Sequence, residues 1–176
     1  SIVGCLLVQL CVGILYLWSV FKSPAIDFYG WADSSVNMVA SIMLFCFCFG
    51  NLVGGILNDK IGPKKVSIMG CCLFGGGILL ASFLPASASI WLFYLTYCLI
   101  AGLGSGFAYG AAISCLQKWL PHRRGLASGL AVSAFGFSTV IFSPVSSALL
   151  GVMTLPATLR SLAIVFLIVG LVACMF

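Results

Sequence analysis

The residues with the most chemistry to offer lie in one short stretch, Gly55-Ile-Leu-Asn-Asp59-Lys60-Ile-Gly62-Pro63-Lys64-Lys65. It holds an acid and three lysines, although the whole chain has only 3 acidic and 8 basic residues. An aspartate placed there is stabilised by the positive end of a neighbouring helix and by cations such as Lys60 or Lys64. Gly55, one helical turn earlier, removes the side chain that would hold a second helix away. This is the chemistry of reversible contact, not of bond breaking. Nothing else in the sequence supplies bond-breaking groups. His122 is the sole histidine, the 9 cysteines contain no CxxC pair, and Gly75-Gly76-Gly77 precedes no Lys-Ser/Thr. The residues imply no enzyme, no metal and no cofactor, and the cysteines read as small apolar side chains.

The remaining candidates are neutral. Gln9, Gly13, Tyr16 and Val20 share one helix face at steps of three or four, as do Gly102, Gly106, Tyr109 and Ile113. Two hydroxyls and an amide are thereby available for hydrogen bonding, and Phe135 and Phe137 add aromatic surface. The competing reading for each is ordinary packing, or for tyrosine an interfacial position. Arg123-Arg124 is either a gate pair or an anchor in anionic headgroups, worth about 1 kcal/mol per basic residue. Lys22 either attracts anions or snorkels.

The elements that must position these groups follow from composition. The 176 residues are 62% hydrophobic and 6% charged, with a mean hydropathy of +1.25. A water-soluble domain could not cover so much apolar surface, so an integral membrane protein is expected. The net charge of +5 sits in loops and forms no patch for nucleic acid. The apolar run at the N-terminus lacks the basic start and cleavage site of a signal peptide. Charge-free runs, divided by Pro85-Ala-Ser-Ala-Ser89 and by a Gly151…Pro156 loop, give six segments: about 2–22, 34–57, 66–84, 90–117, 125–149 and 160–176. All must be helices, because lipid satisfies no backbone group. The fold class is therefore an all-α bundle of six transmembrane helices. Lys60, Lys64, Lys65, Lys118, Arg123 and Arg124 fall on one side, with only Lys22 and Arg160 opposite, which makes loops 58–65 and 117–124 cytoplasmic. Trp31 and Trp91 are then expected at the outer interface and Trp119 at the inner one. Glycines at steps of four, such as Gly50 and Gly54, Gly102 and Gly106, Gly125 and Gly129, mark faces for close helix contact.

The Gly55…Asp59…Gly62 loop with its lysines resembles the signature loop of the major facilitator superfamily of transporters. The resemblance implies the N-terminal six-helix half of a twelve-helix fold, with a C-terminal half absent from this chain. The chain's start without Met and its end sixteen residues after Arg160 fit that expectation. The resemblance further implies that Gly55, Asp59, Lys60, Gly62, Lys64 and Lys65 latch the two halves on the cytoplasmic side, with Arg123 and Arg124 beside them. It places the first and fourth helices along a central cavity, where Tyr16, Tyr109, Gln9 and Phe135 would meet substrate. Pro63 stands where the family usually has a basic residue, which leaves open which lysine pairs with Asp59. Cys98, four residues before Gly102, replaces the arginine of proton-linked antiporters.

Two further stretches narrow the resemblance. Lys118-Trp119-Leu-Pro121-His-Arg123-Arg124-Gly125-Leu126-Ala127-Ser128-Gly129 and Tyr16-Leu-Trp18-Ser19-Val20-Phe21 look like the oxalate/formate antiporter family. The related monocarboxylate transporters rank second, since their acidic-Gly-x-aromatic-Gly-Trp signature is absent. The expected function is secondary active transport of small organic anions, mono- or dicarboxylates, by alternating access. The rivals are a carrier for another small solute (sugar, amino acid or nucleoside), a non-transporting receptor or scaffold, and a six-helix protein that dimerises. The plasma membrane is the default location, and an organellar membrane fits equally.

Overall fold

The computed structural model describes residues 2–175, and among them it contains six long helices and no strand. They are α1 (Ile2–Tyr29), α2 (Asp33–Ile61), α3 (Pro63–Ser82), α4 (Ile90–Trp119), α5 (Pro121–Val152) and α6 (Leu155–Met175). The shortest, α3, has 20 residues, which at roughly 1.5 Å each cross the roughly 30 Å core of a bilayer. The chain is an all-α, multi-pass membrane bundle. Phe176, the expected end of the sixth segment, lies outside the described residues.

Helix ends differ from those the charges suggest, and for one reason: a charge marks where lipid stops, not where a helix stops. α1 continues past Lys22 and through Pro24 until Gly30, whose left-handed φ of 66° closes the helix with its N–H donating to the Ile26 carbonyl. α2 likewise runs beyond Asp59 to Ile61. Gly62, at φ 85°, caps it through the Asn58 carbonyl, and Pro63 opens α3 at the first helical position. α6 starts at Leu155, five residues before Arg160. Pro156 is accommodated in its first turn, and the Arg160 guanidinium sits 4.4 Å from the centre of the Phe83 ring.

α4 is the central helix, packing on α2, α3 and α1, while α1 also packs on α5 and α6, and α3 on α6. Small residues allow the closest of these contacts. A Cβ on Gly50 would lie 2.6 Å from the Leu103 carbonyl oxygen, and one on Gly54 2.9 Å from the Phe107 Cα. Two helices are irregular: α1 tightens to a 3₁₀ turn at mid-length, over Gly13–Leu17, and α4 widens to a π-helix in its first half, over Tyr94–Ala101. Beside them Trp18 lies 5.4 Å from Tyr97 and 5.7 Å from Phe93, with its indole N–H donating to the Val36 carbonyl at 3.1 Å. Trp31 joins this cluster, stacked 4.1 Å from Tyr29 and hydrogen-bonded to the Ala88 carbonyl. It packs as part of the bundle, whereas Trp91 and Trp119 are exposed.

Candidate functional site: an open aromatic face and a polar recess

α1, α2, α4 and α5 bring four aromatic rings together. Phe135, on α5, is at the centre. Tyr16 meets it edge-on at 5.5 Å, Tyr109 edge-on at 5.1 Å, and Phe47 lies nearly parallel at 6.0 Å and edge-on to Tyr109 at 5.2 Å. Such edge-to-face pairs add about 0.5–1.5 kcal/mol beyond burial. Phe135 is buried, Tyr109 and Phe47 are half-buried, and Tyr16 is 51% exposed, so the cluster opens at Tyr16. The sequence reading names Tyr16, Tyr109 and Phe135 but not Phe47. The four-residue step from Phe47 to Asn51, next to the Gly50/Gly54 contact face, is the signal that would have found it.

Gln9 is not on this open face. It is fully buried, and its amide nitrogen donates to the Tyr109 carbonyl at 3.3 Å, tying α1 to α4 behind the rings. Its Oε1 has no partner. Ser138, one turn beyond Phe135, likewise has a buried, unpartnered hydroxyl. From Tyr16 a groove of about 270 Å³ leads along α1 and α2 past Ser19 and Asn37 to Lys22. Lys22 forms an ion pair with Asp33 at 3.0 Å, and Asn37 donates to the other Asp33 oxygen at 3.1 Å. Among the described residues this is the single ion pair within 4 Å.

The opposite end of the bundle holds Asp59 and six of the eight basic residues. Asp59 lies in the last turn of α2, exposed, in the wall of a recess shared with Asn58, Ser114, Gln117, Lys118, Pro121 and Arg124. The recess has a volume of about 470 Å³. Lys118 and Arg124 enter it, not Lys60 or Lys64, the cations expected beside the acid. Asn58 is 6% exposed and its side-chain oxygen lacks a donor, while Gln117 donates to Ser128 at 3.0 Å and fixes the α4–α5 corner. Gly55 meets nothing within 4 Å of a built Cβ. Lys60, Lys65 and Arg123 are exposed, and Lys64 turns to a different cavity, between α1, α3, α4 and α6.

Charge thus lies at both ends of the bundle and, among the described residues, none lies midway, where α1, α2, α4 and α5 share the aromatic face. The pattern of the Major Facilitator Superfamily matches residues 3–176, and the chain belongs to that superfamily. It is 31% identical over 153 residues to the oxalate:formate antiporter of Oxalobacter formigenes, an alignment covering 86% of this chain and 35% of the antiporter. It is 33% identical over 135 residues to monocarboxylate transporter 13 of Rattus norvegicus, covering 77% of this chain and 31% of the transporter. Identity to apicoplast pyruvate carrier 1 of Toxoplasma gondii is 24% over 194 residues, covering 88% and 35%. The chain thus spans about a third of the length of these relatives.

Proposed function

We propose that the chain forms the N-terminal half of a secondary transporter for small organic anions, mono- or dicarboxylates, working by alternating access against a second six-helix half. The carrying observation is the aromatic face, where the two tyrosines Tyr16 and Tyr109 both meet the Phe135 ring and Phe47 flanks them, with no cation on these rings among the described residues. A carboxylate there finds hydrogen-bond donors but no counter-charge. Because an unpaired anion away from water is costly, the second half supplies the cation. Gln9 acts by holding Tyr109's helix in place.

The docking face for that half runs along α2 and α5. Gly50, Gly54, Gly102 and Gly106 are filled by close contacts within the chain, whereas Gly55, Gly125, Gly129 and Gly136 meet nothing. In lipid, such small residues serve helix contact. Asp59, with Lys118 and Arg124 in its recess, latches this face on the cytoplasmic side, where loops 58–65 and 117–124 lie; the unpaired Asn58 oxygen takes a donor from the second half. Carboxylates are favoured over other solutes because the relatives are an oxalate:formate antiporter, a monocarboxylate transporter and a pyruvate carrier.

The test is uptake by the full-length protein in liposomes, with a panel of carboxylates, sugars and amino acids. Saturable carboxylate uptake, competed by other carboxylates and not by sugars, is expected. Uptake confined to sugars or amino acids would overturn the substrate class, and no uptake of any would overturn transport.

A further inference from the structure

Four of the cysteines gather at the basic end of the bundle, around a cavity of about 220 Å³ between α1, α3, α4 and α6. Cys5, Cys115 and Cys174 line it, together with Lys64, Ser67 and Trp119. Cys71 stands directly behind Cys174: the two sulfurs are 3.9 Å apart, and the Ser67 hydroxyl lies 3.2 Å from the Cys174 sulfur. Cys174 is half-buried and Cys71 is 4% exposed. The pair thus has one sulfur open to small molecules and one held in reserve. Cysteines react most readily when partly exposed in electropositive surroundings, and Lys64 makes this cavity mouth electropositive. Cys5 and Cys115 form a second buried and half-buried pair in the wall of the same cavity, on α1 and α4. The other five cysteines lack the combination. Cys11, Cys46 and Cys98 are buried, while Cys48 and Cys72 are exposed on the outside of the bundle.

We propose that Cys71 and Cys174 form an oxidisable dithiol, reached by hydroperoxides through the cavity at the basic end. In the first step the Cys174 thiolate attacks the hydroperoxide. The O–O bond breaks, Cys174 becomes a sulfenic acid, and the leaving oxygen takes a proton as water or an alcohol. In the second, the Cys71 sulfur attacks the Cys174 sulfur. An S–S bond forms, the S–O bond breaks, and the departing hydroxide leaves as water with the Cys71 proton. Two thiols and one hydroperoxide give one disulfide, one water or alcohol, and one further water. The sulfurs must close from 3.9 Å to about 2.05 Å. The bond ties α3 to α6 next to the Gly62–Lys65 turn, and a thiol reductant reverses it.

The experiment uses the full-length protein in membrane vesicles, exposed to hydrogen peroxide, capped with N-ethylmaleimide, digested and read by mass spectrometry. A peptide containing Cys71 should be joined to one containing Cys174, and dithiothreitol should separate them. The cross-link should persist in Cys72→Ser, which removes the neighbouring thiol. In Cys71→Ser the sulfenic acid should survive long enough to be trapped on Cys174 by dimedone. Full maleimide labelling of both residues after peroxide, or a disulfide from Cys174 to Cys5, Cys72 or Cys115 instead, would overturn the assignment.

Discussion

Two hydroxyls distinguish the aromatic cluster from plain packing. Tyr16 and Tyr109 both meet the Phe135 ring, yet only Tyr16 is exposed by half, at 51%. A hydrogen bond to a charged group is worth about 1.5–3 kcal/mol, so Tyr16→Phe is expected to weaken carboxylate binding by about tenfold or more. Tyr109→Phe is expected to do the same, since its ring meets the same face of the cluster. Substrate affinity in the full-length protein, measured by competition, checks this; two unchanged affinities would leave the rings as packing alone. The tyrosines were legible in the sequence because steps of three and four put them on helix faces. Gln9 shares the Tyr16 face by the same arithmetic, but α1 is tightened over Gly13–Leu17, between the two residues. A face counted at regular helical spacing does not survive such a turn. Gln9 therefore points into the bundle, where the Tyr109 carbonyl accepts its proton.

At the scale of helices, the six apolar runs could be read directly, since lipid allows no other backbone arrangement for them. Their ends and irregularities could not. Positive-φ glycines at 30 and 62 end helices that the charges would have ended earlier. The widened stretch of α4 lies where Tyr97 and Phe93 pack on Trp18 from another helix, a demand that local sequence does not record. The glycines also divide by context that spacing alone conceals. Gly50→Ala puts a methyl 2.6 Å from the Leu103 carbonyl oxygen and 2.9 Å from its Cα, backbone atoms that must shift. Overpacking of this kind costs about 1–3 kcal/mol, and thermal unfolding in detergent should show the loss. Gly129→Ala meets nothing within 4 Å in this chain. It is expected to leave the unfolding of this chain unchanged and to slow transport by the full-length protein. If transport is also unaffected, the α5 face is not where a second half docks.

For the whole molecule the question is which end closes, and the two ends are built differently. Lys22 and Asp33 are already paired, at 3.0 Å, with Asn37 holding the second carboxylate oxygen. That ion pair joins α1 to α2 within this chain and needs no partner. Asp59 has no ion-pair partner within 4 Å among the described residues, although Lys118 and Arg124 share its recess and Asn58 carries a buried oxygen without a donor. The far end has an unpartnered buried hydroxyl of its own, on Tyr29, so what sets the basic end apart is Asp59, an acid without an ion-pair partner whose recess holds two cations. Asp59→Asn keeps the shape and removes the charge. It is expected to slow transport and to shift the population toward the state open at the basic end, seen as faster maleimide labelling of cysteines placed along α5 near Gly125 and Gly129. Lys22→Gln, which breaks the satisfied pair at the far end, should not increase that labelling. Equal labelling in Asp59→Asn and the parent would show that the recess does not control closure, and the charges there would then serve only to orient the chain in the membrane.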